Sequence, residues 1–190
     1  MKGRNLITSF AVLLIMAASV YGQKGDNNVV TSILKSYSSK VFSTEPVSDD
    51  EIDQIVKCGI KAPSARNMQP WRFTVVKDTS LTKKILPGIN EGNILIIVSG
   101  PDDEQRRDIV YYDCALASEN MYIAAQSLGL GAHIYFSPIR NIDSTVRESL
   151  EIPVGYMPIS ILRFGNIDSS VDAVSSASSR EPIGAIVNYK

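Results

Sequence analysis

The feature that most constrains the fold is the stretch 62–73, which reads APSARNMQPWRF and joins two segments of opposite character. Apolar residues recur at helical spacing over residues 52–60, with charged and polar residues between them, which predicts an amphipathic helix. A capping box, Ser48 followed by Glu51, predicts where this helix begins. Pro63 predicts where it ends, because a proline ring cannot continue a helix. The chain must therefore leave a helix within this stretch.

The same stretch leads into a strand and carries polar side chains on the way. Residues 71–76 are β-branched and aromatic, which predicts a strand. Ser64, Asn67 and Gln69 place hydrogen-bond donors and acceptors on their side chains, and two prolines restrict the backbone that presents them. The pattern predicts either a binding loop for a polar planar ligand or an ordinary helix-to-strand connection, since Ser and Asn also favour loops.

The order of these residues, Ala-Pro-Ser-x-x-Asn-x-Gln-Pro-Trp-x-Phe, resembles the signature of the nitroreductase family, and the resemblance extends from about Ser36 to the C-terminus. It implies an α+β, three-layer fold in which a central, mostly antiparallel sheet is flanked by helices. It also implies an intertwined homodimer with two active sites at the subunit interface. Residues 114–128 are apolar around most of a helical circumference, which predicts a central helix, covered either by a second subunit or within a monomer.

Two further segments resemble the family's cofactor-binding motifs. Residues 36–42 resemble Arg-x-Ser-x-Arg/Lys-x-Phe, and residues 180–182 resemble the Arg-x-Pro segment near the family's C-terminus. Ser36 stands where the family has its first Arg, which removes one cation from the phosphate or ring site. The resemblance implies that Lys40 lies near the N1–O2 edge of a flavin and that Arg180 binds its phosphate. From the residues alone, the alternatives are a solvated surface lysine at Lys40 and an exposed tail arginine at Arg180. The cofactor-binding residues that the resemblance implies are Ser36, Ser38, Lys40, Pro63, Ser64, Ala65, Asn67, Gln69, Ile134, Tyr135, Phe136 and Arg180.

The implied chemistry is that of a flavin enzyme in which FMN, and no side chain, is the catalyst. The sequence shows no zinc spacing, Walker loop or Gly-x-Ser-x-Gly elbow. The resemblance implies a ping-pong cycle in which NAD(P)H reduces FMN and a nitroaromatic, quinone or similar acceptor is then reduced. Two alternatives stay open. One is other flavin chemistry on the same scaffold, such as reductive dehalogenation or flavin fragmentation, and the other is an exported, non-catalytic binding protein.

The N-terminal residues predict export. Lys2 and Arg4 form a basic region, residues 10–18 form an uninterrupted apolar run, and small residues follow. We expect a signal peptide over residues 1–22, cleaved after Gly22, a nitroreductase-like domain over residues 23–190, and a periplasmic location. An uncleaved membrane anchor is the alternative, although the run is shorter than the ~20 residues that a spanning helix needs. Because NAD(P)H is scarce outside the cytoplasm, the electron donor of an exported enzyme stays open.

The remaining sequence predicts an ordinary globular domain. A formal net charge of −1 implies no strong field for nucleic acid or anionic membrane. We expect Cys58 and Cys114 to be two buried free thiols, with one disulfide as the alternative, and His133 to be structural. Apolar periodicity predicts helices over 29–39, with Ile33 and Leu34 facing inward, and over 80–86, 103–128 and 141–150, strands over 93–99, 132–136 and 157–164, and an irregular segment over 166–179.

Overall fold

The computed structural model describes residues 28–168, 170 and 179–190. Its centre is a four-stranded sheet in which every ladder is antiparallel and the strand order is β1-β2-β4-β3. The strands are β1 (Arg72–Val76), β2 (Ile94–Pro101), β3 (Gly131–Tyr135) and β4 (Tyr156–Gly165). All four lie where the sequence predicts strands, so the α+β class and the antiparallel sheet are confirmed.

The helices lie between and around these strands. The capping box is formed as predicted, because Ser48 N–H donates to Glu51 Oε2 at 2.9 Å and Glu51 N–H donates to Ser48 Oγ at 3.3 Å. The helices in the described residues are α1 (Asn28–Lys35), α2 (Asp49–Ile60), α3 (Thr79–Ile85), α4 (Arg107–Ser127), α5 (Ser144–Ser149) and α6 (Ile183–Ile186), with 3-10 turns at Ala65–Asn67 and Ser137–Asn141.

Two helices begin later than the sequence predicts, and an aspartate explains each case. Helix α4 begins at Arg107, because Asp103 Oδ1 accepts the backbone N–H of Arg106 at 3.2 Å. Such side-chain bonds compete with the helical pattern. The helix predicted over 141–150 is preceded by a 3-10 turn and begins only after Asp143, whose Oδ1 accepts a backbone N–H of α5 at 2.8 Å.

Strand β2 is buried on both faces, as its continuous apolar run predicts. Ile94, Ile96 and Val98 belong to one hydrophobic cluster with residues of α2 and α4. Leu95 and Ile97 belong to a second cluster with residues of α3 and α5. Because side chains alternate along a strand, this single strand supplies both clusters. Helices therefore cover both faces of the sheet, and the predicted three-layer arrangement is confirmed.

Helices α2 and α4 pack closely where Gly59 meets Met121, since a Cβ at Gly59 would lie 2.7 Å from Met121 Cγ. Elsewhere on α4, Cys114 packs against Gly100 of β2 and has no exposed surface, and burial raises the pKa of its thiol to about 12. Both cysteines are free, as predicted. Cys58, however, is exposed, so its predicted burial is wrong. Position 58 lies about 100° around the helix from the buried Gly59, outside the buried stripe.

Helix α1, apart from Lys35, lies in a compact unit separate from the rest of the chain. None of its residues is buried. Ile33 and Leu34 are 50% and 80% exposed, so their predicted inward orientation is wrong for the single chain; a helix of eight residues buries little surface unaided. The predicted signal peptide, 1–22, lies outside the described residues, as does part of the irregular segment 166–179. No described helix is long and apolar enough to cross a bilayer.

Candidate flavin site

The loop between α2 and β1 has an unusual backbone. Arg66, Asn67 and Gln69 have φ angles of 54°, 56° and 47°, the left-handed region that residues with a Cβ rarely adopt. Each such residue costs on the order of 1–3 kcal/mol and persists only where its surroundings over-determine it. We call residues 64–69 the signature loop. The sequence signature predicts its polar side chains but not this strain.

Two side-chain acceptors hold the signature loop in its strained form. Ser64 Oγ accepts the backbone N–H of Gln69 at 3.0 Å, which closes the loop upon itself. Asp113 on α4 accepts the backbone N–H of Ala65 at 3.0 Å through its Oδ1, although Asp113 is only 4% exposed. Gln69 Nε2 also donates to Asn67 Oδ1 at 3.2 Å. The two amide side chains are thus exposed next to one another on a fixed backbone.

A second segment, residues 36–43, is extended and fixed along one side. Tyr37 N–H donates to Gln126 Oε1 on α4 at 3.0 Å. Ser39 N–H donates to Ala132 O at 2.9 Å, and Ala132 N–H donates to Ser39 Oγ at 3.2 Å. Ser39 is completely buried. We call residues 36–43 the N-terminal segment.

The side chains of the N-terminal segment differ in burial. Ser39 and Phe42 are buried, whereas Ser38 and Lys40 are exposed and Ser36 is half-buried. Two of the three segment residues that the resemblance implies for cofactor binding, Ser38 and Lys40, therefore face outward. His133 has the structural role that the sequence predicts, because its Nδ1 lies 2.9 Å from Ser39 O and its ring stacks on Tyr135.

The end of β3 opens onto an apolar groove beside α4. The groove has a volume of about 1140 Å³. Ile134 and Phe136 line it, as expected for residues that approach a flavin, whereas Tyr135 packs in the cluster on the opposite face of the sheet. Its phenol bonds Arg163 there. The structure thus brings Ile134 and Phe136 into the groove and directs the Tyr135 side chain away from it.

Helix α4 supplies groove residues that the sequence did not mark individually. Tyr111, Tyr112, Leu116 and Glu119 line the groove together with Arg140 from the 3-10 turn after β3. Glu119 is exposed overall, but partial burial of its carboxyl raises the pKa of that group. For Leu116 and Glu119 the sequence signal is the apolar circumference of residues 114–128, which marks this part of the helix as a whole rather than the residues that face the groove.

Helix α4 is also the element to which both polar segments attach. The signature loop bonds Asp113 near one end, and the N-terminal segment bonds Gln126 near the other. A helical rise of about 1.5 Å per residue places these two attachment points roughly 20 Å apart. Arg180 lies in the exposed C-terminal stretch before α6. Within a single chain, the expected binding residues of the two segments therefore lie at separate places along α4.

Comparisons with known proteins agree with this architecture. A profile of the nitroreductase family matches residues 33–98, which include both polar segments. The solved nitroreductase with bound FMN from Bacteroides fragilis covers 86% of this chain and all of its own length with a TM-score of 0.73, at 20% identity. A Parabacteroides distasonis structure, whose name suggests an NADH dehydrogenase/NAD(P)H nitroreductase, covers 86% of this chain and 99% of its own with a TM-score of 0.69, at 26% identity.

A sequence relative establishes the family. A protein of Archaeoglobus fulgidus, whose name suggests an NADH dehydrogenase/NAD(P)H nitroreductase, is 32% identical over 137 residues. The match covers 67% of this chain and 79% of that protein. With a relative this similar over most of its length, and with the signature placed in a loop that the structure clamps, the chain belongs to the nitroreductase family.

Proposed function

We propose that this protein is an FMN-dependent oxidoreductase that takes hydride from NAD(P)H and passes it to a nitroaromatic, a quinone or a similar acceptor. The observation that carries the proposal is the signature loop, whose exposed amides are held in a costly left-handed conformation by Ser64 and the buried Asp113. Strain of this kind is typical of ligand sites, where it fixes a binding geometry in advance. Family membership supports the same conclusion.

The described residues fit such a cofactor. The amides of Asn67 and Gln69 offer both donors and acceptors for the polar edge of a planar ring. Gln126 Nε2, beside the N-terminal segment, is a buried donor with no hydrogen-bond partner among the described residues, and buried donors of this kind are normally satisfied. The apolar groove at Ile134 and Phe136 suits an aromatic face.

The charged and hydroxyl residues expected at the site would interact with different parts of the cofactor. When bound, FMN supplies the centre that accepts and donates hydride. Lys40 would stabilise negative charge on the reduced ring, and Arg180 would bind the phosphate through parallel hydrogen bonds. Ser38 would add a hydroxyl, while Ser36 brings no cation to the site. No side-chain nucleophile or base is required, so the protein's contribution is binding, orientation and charge.

A homodimer is part of the proposal because one chain separates the expected residues. The signature loop and the N-terminal segment attach about 20 Å apart on α4, and the groove between α4 and the sheet is lined by exposed apolar residues such as Tyr112 and Leu116 (72% and 44% exposed). A second copy packed on this face would cover them. Light scattering should give a dimer at micromolar concentration, and Leu116→Glu should shift it to monomer. A wild-type monomer under these conditions would contradict this part of the proposal.

We also propose export through the signal peptide at residues 1–22, with a periplasmic location. N-terminal sequencing of native protein should begin at or near Gln23, and an intact Met1 on a soluble cytoplasmic protein would contradict it. The proposal leaves the physiological electron donor outside the cytoplasm open, and NADH and NADPH serve as test donors.

The deciding experiment is a titration of the mature chain with FMN, followed by NADH or NADPH without oxygen. We expect quenched flavin fluorescence, a raised melting temperature and bleaching of the visible absorbance by one of the two donors. If FMN never binds, the flavoenzyme proposal fails and an exported binding protein takes its place. If FMN binds but neither donor bleaches it, other flavin chemistry on this scaffold replaces the reductase.

A further inference from the structure

Arg163 is a buried cation with no carboxylate beside it. The residue is 7% exposed, and within the described part of the chain it forms none of the ion pairs. Its Nε and Nη2 donate to Asn93 Oδ1 at 2.9 and 2.6 Å, and Nη2 also donates to Asn90 Oδ1 at 3.1 Å. Burial lowers its pKa. Its partners are two amides and the Tyr135 phenol, with no carboxylate among them, and burying a cation in this way is expensive.

The same two asparagine side chains also donate hydrogen bonds to the N-terminal segment. Asn90 Nδ2 donates to Phe42 O at 2.7 Å, and Asn93 Nδ2 donates to Ser43 O at 2.9 Å. The guanidinium itself lies over the Phe42 ring, 3.9 Å from its centroid, within the range of a cation–π contact. The Arg163 hub, which we define as Arg163 with Asn90 and Asn93, therefore fixes both the backbone and the side chain at residues 42–43.

The sheet is shaped to admit this contact. Gly131 and Gly165 face each other at the end of the ladder between β3 and β4. A Cβ at Gly165 would lie 2.6 Å from Asn93 Cγ, and one at Gly131 would lie 2.9 Å from Phe42 Cε1. Both distances are too short for real Cβ atoms. A side chain at either position would push the hub or Phe42 out of place.

Lys40 lies between two fixed points as a result. On one side Ser39 is bonded to Ala132, and on the other Phe42 is held by the hub. We propose that Arg163 is a positioning residue for FMN: it fixes Phe42 from the interior, so that the exposed Lys40 is presented to the flavin in one orientation. The inference rests on the proposed function, since it assigns Lys40 to the flavin. Arg163 is buried and acts only through the segment that it holds.

The chemistry of the hub requires arginine rather than any cation. A guanidinium is planar, so it can donate in its plane to Asn90 and Asn93 while its face lies over Phe42. A lysine ammonium keeps the charge but is compact and cannot do both. Arg163→Lys therefore separates the geometry of the hub from its charge, and it is a milder change than Arg163→Met, which also removes the charge.

The first test compares Arg163→Lys with Val146→Ala, a control in the cluster on the same face of the sheet, which includes no residue of either polar segment. Hydrogen exchange of the protein without FMN should show faster exchange at residues 39–43 in Arg163→Lys only. FMN titration should show its dissociation constant raised about tenfold or more, the size of a lost charge-assisted bond. Val146→Ala should lower the melting temperature but change FMN affinity less than about twofold.

The second test is a double-mutant cycle with Lys40→Gln. If Arg163 acts through Lys40, the two substitutions should be non-additive, so that Arg163→Lys costs little further affinity once Lys40 is gone. Full additivity would overturn the proposal, as would wild-type FMN affinity in Arg163→Lys, even with faster exchange. A wild-type protein that binds no FMN would instead remove the proposed function itself, a result distinct from either.

Discussion

The signature loop and the N-terminal segment are both held in a fixed conformation, but by different kinds of contact. The loop is strained at three left-handed residues and is closed mainly by bonds among its own neighbours, with one outside acceptor in Asp113. The N-terminal segment is extended and is fixed by partners far along the chain, such as Ala132 and Arg163. A conformation encoded locally leaves a recognisable motif. One that is imposed from a distance leaves only scattered single residues.

The largest expected effect comes from removing the outside acceptor of the loop. Asp113→Ala deletes the bond to Ala65 N–H, and bonds to a charged group are worth about 1.5–3 kcal/mol. We expect FMN affinity to fall by roughly 10- to 150-fold, measured by fluorescence titration. Asp113→Asn is the matched control, because it keeps an Oδ1 acceptor and should lose much less. Equal losses in both variants would mean that charge, and not the bond to the loop, matters.

Removing a partner from the N-terminal segment comes next. Ser39→Ala leaves the buried Ala132 N–H without its side-chain acceptor, which costs about 1–3 kcal/mol of unfolding free energy. Chemical denaturation should show this loss. Ser38→Ala, at the exposed neighbouring position, serves as control and should change stability by less than about 0.5 kcal/mol. A similar loss in both variants would contradict the difference in burial between Ser39 and Ser38 described above.

A smaller, favourable effect should follow from relieving strain in the loop. Arg66→Gly places at φ 54° the residue that accepts this angle without penalty, and it should raise the unfolding free energy by about 0.5–1 kcal/mol. Lys61→Gly is the control, because its φ of −81° is already right-handed and glycine there should be neutral or destabilising. A loss of stability in Arg66→Gly would show that the loop is not strained at this residue.

The smallest effect concerns the groove and depends on pH. Burial raises the pKa of Glu119 in the folded state, so the folded carboxyl releases its proton at a higher pH than the unfolded one. Ionised Glu119 therefore destabilises the fold above its ordinary pKa of about 4.3, and the penalty disappears as the pH falls below that value. Glu119→Gln should raise the melting temperature at pH 7 but not at pH 4. An equal rise at both pH values would contradict this origin.

The parts of the fold that the sequence predicts correctly are those set by near neighbours. The capping box at Ser48, the end of α2 before Pro63 and the doubly buried β2 all follow from local pattern. The start of α4 was missed because the side chain of Asp103 competes with the helix. The exposure of Cys58 was missed because the prediction took a position on the flank of the helix as buried. Both errors are local, small and physically explicable.

The site divides in the same way. Ser64, Asn67 and Gln69 stand in one motif and could be recognised, but their strain could not. The Arg163 hub joins residues 70 positions apart, and no periodicity links them. Its amide partners are Asn90 and Asn93, and no sequence pattern marks either of them for this role. Contacts of this kind become visible only when the sheet brings the ends of β3 and β4 beside the N-terminal segment.

The different exposure of the two cysteines makes thiol labelling a measure of when α4 separates from the sheet. Cys58 is exposed on α2 and should react with a thiol reagent at once, whereas Cys114 is sealed at the centre of α4 with its pKa raised to about 12. Modification of Cys114 must therefore wait until α4 leaves the sheet. Mass spectrometry that counts one or two labels per chain over time would thus follow the separation of α4 from the sheet. It needs no engineered probe, and Cys58 serves as internal standard.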